Sequence, residues 1–228
     1  MKTHSIILAR GGSKGIKNKN LKKVGGKPLI FWSIRASLKS KKISKTWVSS
    51  DSSKILKYAS KLGANIIKRN SRISNDNASS EVAWLHAVKH IEKQFVFDNV
   101  VGVQPTSPIK SSLDLDKAII KFERMKFDSL LSTTAIKDYF VWVQKKKLVP
   151  LYDQNNRKRR QEISTKYLEN GSFYIFKKDK FKKNKNRLFG IIGQYVQNKT
   201  KSFQVDDIED IFIVNSLLSS KKIKEFNK

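Results

Sequence analysis

From Ile6 to Thr133 the chain repeats one unit: a short apolar run, a polar turn, then a longer stretch whose apolar residues fall at helical spacing. Ile6-Ile7-Leu8-Ala9, Trp47-Val48-Ser49-Ser50, Ile66-Ile67, Val100-Val101-Gly102-Val103 and the run 129–133 read as strands. Leu29, Ile30, Ile34 and Leu38 mark a helix entered by Pro28 at its first turn, where a missing N–H costs little. Asp51 is placed to cap the next helix, 53–62, which Gly63 ends. Further helices are expected over 80–95 and around Leu115, Ile119, Ile120 and Phe122. Strands alternating with helices predict an α/β domain: a largely parallel sheet with helices on both faces.

The pattern breaks at 139–165. Phe140-Val141-Trp142-Val143 and Leu148-Val149-Pro150-Leu151-Tyr152, separated by a lysine turn, predict a hairpin protruding from the main sheet. Strand character returns at 171–176, and 207–218 reads as a closing helix. With no internal repeat and no low-complexity linker, the expectation is one domain over 1–228 with 139–165 as an excursion.

Composition narrows the function classes. Hydrophobic residues make up 39% of the 228, enough for a real core, yet no apolar run reaches the length of a membrane span. The apolar run 5–9 is too brief for a secretory signal. The absence of cysteine removes disulfides, thiol chemistry and cysteine-ligated zinc, and suits a cytoplasmic setting. The formal charge of +29 makes phosphates, nucleic acid and acidic surfaces candidate partners. Lysines are spread along the whole chain, however, and no nucleic-acid motif accompanies them, so solvated basic faces are the favoured reading over nucleic-acid binding. The clusters to inspect otherwise are Lys145-Lys146-Lys147, Arg157-Lys158-Arg159-Arg160 and 177–185.

In an open parallel sheet, ligands bind beyond the carboxyl ends of the strands, and four polar loops are expected there. The first is Leu8-Ala9-Arg10-Gly11-Gly12-Ser13-Lys14-Gly15, followed by Lys17, Lys19 and Asn20. Gly11 and Gly12 let backbone N–H groups approach an anion, and Arg10 and Lys14 add charge. This loop matches neither the Walker nor the dinucleotide fingerprint, and alone it fits an ordinary glycine turn as well as a phosphate cradle. The second, 69–80, offers Arg69, Arg72, Asp76, Ser79 and Ser80 to a ligand, while Ser79 or Ser80 also suits the next helix cap. In the third, two prolines stiffen Gln104-Pro105-Thr106-Ser107-Pro108 and fix the direction of Gln104. The fourth, Asp206-Asp207-Ile208-Glu209-Asp210, concentrates four of the chain's 19 acidic residues in five positions. Carboxylates beside phosphate oxygens make a Mg²⁺ environment, and acid in a helix's first turn is also favoured by the dipole.

In order along the chain, these loops resemble the acylneuraminate cytidylyltransferase family, the CMP-sialic acid synthetases and their relatives. The resemblance runs from Ile6 to about Leu218. It is carried by Leu8 to Gly15 (L-A-R-x-x-S-K-G), Lys19-Asn20-Leu21, Ser49-Ser50-Asp51, Asp76-Asn77-Ala78-Ser79-Ser80, the intact 104–108 turn, and Arg160-Gln161 followed by Asn170-Gly171 with Tyr174-Ile175.

The resemblance implies a Rossmann-like nucleotidyltransferase fold and transfer of CMP from CTP to a sialic-acid-like 2-keto sugar acid. Ala9, Arg10, Gly11, Gly12, Lys14, Asn20, Arg69 and Ser80 would then bind the nucleotide, with Arg10, Lys14 and Asp206 as the catalytic set. Gln104, Arg160 and Asn170 would face the sugar. Asp206 would hold Mg²⁺, supported by Asp207 or Asp210. The family works as a dimer in which such a hairpin helps close the partner's sugar site.

Three departures stand out: Gln204-Val205-Asp206 where the family reads D-x-D, Ile109-Lys110 where Leu-Arg is common, and Leu168-Glu169 where some sialic-acid enzymes carry Arg-Pro. The rival readings are a CMP-Kdo synthetase or UTP-using enzyme on the same sheet, a relative that has lost its metal, and a non-catalytic basic protein binding RNA or phosphate.

Overall fold

The structure, a computed structural model, describes residues 1–220 apart from Lys14, Asp76, Asn77, Asp138, Tyr139 and Arg160. Its first half runs β1 (Thr3–Leu8), the short pair β2 (Lys23–Val24) and β3 (Lys27–Pro28), α1 (Leu29–Lys39), β4 (Lys45–Ser50), α2 (Ser53–Lys61), β5 (Asn65–Lys68), α3 (Ser80–Glu92) and β6 (Asn99–Val103). It continues with α4 (Ser112–Arg124), β7 (Ser129–Ile136), the hairpin β8 (Trp142–Gln144) and β9 (Leu148–Pro150), β10 (Lys166–Lys177), α5 (Lys178–Asn184), β11 (Ile192–Gln197) and α6 (Ile208–Ser219).

Seven strands form the main sheet in the order β11-β7-β10-β6-β1-β4-β5. All pair in parallel except β10, which runs antiparallel to both β6 and β7. The chain steps from β1 outward to β4 and β5, then returns to place β6 on the other side of β1. That reversal opens a crevice at the carboxyl ends of β1 and β6.

The side-chain period of two sorts each strand's apolar residues between two cores. Ile7, Val48, Val101, Phe173 and Ile175 pack with α1, α2 and α4 on one face. Ile6, Trp47, Val100, Tyr174 and Phe176 pack with α3 and α5 on the other. Gly102 lets Trp84 of α3 lie flat on β6, since an added Cβ would come within 2.6 Å of the indole. A third cluster, with Ile16, Leu29, Ile109, Val205 and Val214, fastens α6 and the first polar loop together above the sheet. The hairpin β8–β9 forms its own two-stranded sheet.

The sequence reading differs from the structure at several points. Pro28 stands before α1 as its N-cap, in the strand β3 paired with β2, rather than in the helix's first turn. Ser52, not Asp51, caps α2, accepting from the N–H of Ile55. The run 171–176 is the buried half of a longer strand, whose segment 166–169 is exposed and so lacks an apolar pattern. β11 escaped notice because Gly193 and two glutamines interrupt it. Lysine-rich α5 escaped because Phe181 is its one buried apolar side chain.

Candidate active site

A cleft of about 510 Å³ opens at the predicted rim, lined by residues of all four polar loops. Leu8 and Val103, the last residues of β1 and β6, form part of its floor, which places it at the crevice where the strand order reverses. Arg10, Asn20, Arg69, Ser80, Gln104 and Asp206 all line it. Ala9, Gly11, Gly12, Asn170, Asp207 and Asp210 do not, and Lys14 and Arg160 lie outside the described residues.

The first loop is held by its backbone. The Ala9 N–H continues the β1 ladder to the Ser49 carbonyl at 3.0 Å. Asp51, freed from capping, accepts from the Gly11 N–H at 2.9 Å. Asn20 is buried and donates through its Nδ2 to the Arg10 carbonyl at 3.0 Å. The Arg10 backbone is thus fixed from a residue ten positions on, where Arg10 lines the cleft. Gly12 has open space around its Cα, whereas a Cβ on Gly15 would come within 2.6 Å of the Asp206 carbonyl. This close approach brings the first and fourth loops together.

Arg69 follows β5, and its backbone N–H extends the ladder to the Ser50 carbonyl at 2.8 Å. Arg69 as a residue is 5% exposed, and its guanidinium donates through Nε to Ser74 Oγ at 2.8 Å. Burial pushes the Arg69 pKa down and nearby Arg10 adds to that push, while Asp51 opposes it. Two guanidiniums held near one another, one of them desolvated, make a strong seat for a multiply charged anion. Ser79 caps α3, accepting from Val82 N, and this leaves the hydroxyl of lining residue Ser80 outside that cap.

The fourth loop is pinned by the Val205 N–H donating to the Thr106 carbonyl at 2.7 Å, which sets the next residue, Asp206, on the cleft wall. The Asp206 carboxylate is 65% exposed and meets Lys19 Nζ at 2.9 Å. Asp207 and Asp210 form a capping box: Asp207 accepts from the Asp210 N–H, and Asp210 accepts from the Asp206 and Asp207 N–H groups. Both carboxylates are therefore occupied in starting α6 and in holding the backbone of Asp206. Gln204 packs its amide against Gly171, 3.2 Å from where a Cβ would stand.

Asn170 sits deep in the sheet. Its Nδ2 donates to Thr134 Oγ1 at 3.2 Å and to Gln197 Oε1 at 3.0 Å, and its Oδ1 accepts from Ser172 N. These bonds tie β10 to β7 and β11 where the β10–β7 register shifts between Glu169 and Tyr174.

Among the described residues, the cleft is lined by three cations, Arg10, Lys19 and Arg69, and one carboxylate, Asp206; the remaining polar lining described is hydroxyl and amide. Such a lining suits an anion with sugar-like hydrogen-bonding groups. No group of three or more His, Asp or Glu that could hold a metal exists among the described residues. One exposed carboxylate beside an anion seat does fit Mg²⁺ arriving with phosphates, because that ion takes one or two carboxylates and completes its shell with phosphate oxygens and water. Lys19, Thr106 and Trp84 also line the cleft, although the sequence reading assigns none of them a binding role. Lys19 lay within a quoted motif, whereas Trp84 reads from sequence as one more core aromatic.

The family model described as Cytidylyltransferase matches residues 4–224. The chain belongs to the cytidylyltransferase family. Its relatives include Post-translational flagellin modification protein B of Campylobacter coli, 32% identical over 225 residues that cover 96% of this chain and 95% of that one. CMP-N,N'-diacetyllegionaminic acid synthase of Campylobacter jejuni is 32% identical, covering 95% of both chains. N-acylneuraminate cytidylyltransferase of Oncorhynchus mykiss is 36% identical over 75% of this chain, which spans 40% of that protein's length. These matches agree with the acylneuraminate motifs read from the sequence. Among solved structures, a CMP:2-keto-3-deoxy-manno-octonic acid synthetase complexed with CTP superposes with a TM-score of 0.72 at 17% identity, covering 96% of this chain and 99% of that one. At that identity the likeness is one of fold. No helix among the described residues is long and apolar enough to cross a membrane.

Proposed function

We propose that the chain transfers CMP from CTP to the anomeric hydroxyl of a sialic-acid-like 2-keto sugar acid, releasing pyrophosphate. The observation that carries this is a hydroxyl- and amide-lined cleft whose described charged residues are three cations and one carboxylate, in a chain of the cytidylyltransferase family. The hydroxyl oxygen bonds to the α-phosphorus in line with the departing pyrophosphate and loses its proton, and the bond from that phosphorus to the α,β-bridging oxygen breaks. Reactions of this kind depend on alignment and on neutralising charge rather than on a covalent enzyme intermediate. Arg10 and Lys19 meet the phosphates, together with Lys14 of the same loop. Arg69 and Ser80 hold the nucleoside end, and Gln104 meets the sugar, with Arg160 suited to gripping its carboxylate through two hydrogen bonds. Asp206 would hold Mg²⁺, which neutralises phosphate charge and makes an adjacent hydroxyl more acidic.

A cytoplasmic setting is part of this reading, in keeping with a cysteine-free chain. So is a homodimer. The hairpin and the strand leading from it expose Val141, Trp142, Leu148, Leu151, Tyr167 and Leu168, each at least 43% accessible, an apolar surface that a second copy would cover. Sedimentation equilibrium is expected to give twice the chain mass, and a monomer at all concentrations would refute the dimer.

The function is tested by pyrophosphate release with CTP, UTP and ATP against N-acetylneuraminate, legionaminate, pseudaminate and Kdo. Release is expected with CTP and one of the nine-carbon acids. Turnover with Kdo alone, or with UTP in place of CTP, would move the assignment to a neighbouring enzyme class. Salt-sensitive RNA binding without turnover would remove it.

A further inference from the structure

Three lysine side chains are buried in the described structure: Lys110, Lys178 and Lys201. Two of them meet a carboxylate, Lys178 at 3.0 Å from Glu92 and Lys201 at 2.6 Å from Asp114. Lys110 does otherwise. It is 4% exposed, and its Nζ donates to the main-chain carbonyl of Gln104 at 2.5 Å and to Ser33 Oγ at 3.0 Å. Ser33 Oγ in turn donates to the same Gln104 carbonyl at 3.1 Å. Buried ammonium groups are expensive, and a methionine would fill similar space without that cost. The ammonium grips the carbonyl of a residue that lines the cleft.

We propose that Lys110 is a positioning residue: it anchors the Gln104 main chain so that Gln104 meets the sugar acid correctly, and it places a buried positive charge behind that end of the cleft. The inference rests on the reading of Gln104 as a sugar contact. Ser33 alone still satisfies the Gln104 carbonyl when Lys110 is gone, so the lysine is not needed to rescue a buried acceptor. Its charge and its directional grip are what would be lost.

The charge is pH-sensitive. Burial brings the Lys110 pKa down to about 7, and Asp114 pulls it partly back. The groups around it are Ser33 of α1, the Gln104 carbonyl of the turn and Asp114 of α4. Asp114 is itself tied to Lys201 and faces the Tyr195 hydroxyl of β11 at 3.5 Å. Burial, reinforced by Asp114, raises the Tyr195 pKa to about 12, so that hydroxyl stays neutral through the relevant range. Lys110 is protonated below its folded pKa and neutral above it, whereas in the unfolded chain it stays protonated up to the ordinary lysine range. The burial cost is therefore complete below about pH 7 and fades as pH rises toward the ordinary lysine pKa of about 10.4.

The test compares wild type with Lys110→Met. At pH 6.5 the sugar-acid KM is expected to rise about tenfold, the loss of one charge-assisted contact, with the CTP KM little changed. That ratio of KM values should shrink as pH is raised through 7 to 9. The thermal midpoint of Lys110→Met at pH 6 should equal or exceed that of wild type, and this advantage should diminish toward pH 10. A lowered midpoint with equal losses for both substrates would make Lys110 merely structural and overturn the proposal, as would an unchanged sugar-acid KM. Wild type without CTP turnover would overturn the proposed function, and this inference with it.

Discussion

Arg10→Ala is expected to lower kcat/KM for CTP by about 10²–10³-fold, the usual loss when one preorganised donor to developing negative charge is removed. The guanidinium stands in the cleft near desolvated Arg69, so each strengthens the positive field the other presents to an anion. The backbone around it should survive the substitution. Asn20 binds the Arg10 main-chain carbonyl, and Asp51 binds the Gly11 N–H, both independent of the arginine side chain. Steady-state kinetics together with a circular-dichroism melt separate the two effects. An unchanged melt with a collapse in turnover is the expected pair, and full turnover would remove the first loop from the site.

The second large effect is expected at Asp206→Asn, which keeps size and hydrogen-bonding capacity but removes the negative charge. The one carboxylate that lines the cleft among the described residues is then lost, and kcat is expected to fall about 10²-fold at fixed Mg²⁺, with partial recovery as Mg²⁺ is raised. Stability should scarcely move. The contact given up is the Lys19 pair, with Asp206 65% exposed, and such surface pairs contribute about 0–1 kcal/mol. The Asp206 backbone stays fixed, since its N–H donates to Asp210 and the preceding Val205 N–H to Thr106. Wild-type kcat in this variant, with no change in Mg²⁺ dependence, would leave the cation to be held by phosphates and water alone.

Much of the cleft could be read before the structure because its loops follow strands that the apolar alternation reveals. Arg10, Arg69 and Gln104 each come just after a parallel strand, and parallel strands deliver such residues to one rim. What could not be read depends on partners remote in sequence. Asp51 looks like a helix cap, yet Ser52 takes that role and Asp51 reaches back to Gly11. Asp207 and Asp210, by contrast, are legible locally both as metal carboxylates and as first-turn acids, and their bonds show them capping α6. Asn170 lies beside the sugar motif in sequence, while its amide is spent between β7 and β11. β11 and α5 lacked any apolar period, because one is an interrupted edge strand and the other is a lysine-rich surface helix.

The account stands on a triphosphate being gripped where the four loops meet, and calorimetric titration of CTP into wild type and Arg10→Ala, each with and without Mg²⁺, measures that grip. Wild type is expected to bind one CTP per chain in the range of about 1 μM–1 mM common for enzyme substrates, more tightly with Mg²⁺, and Arg10→Ala to bind at least about tenfold more weakly. Equal affinity in the two proteins, or no CTP binding by wild type, would contradict it.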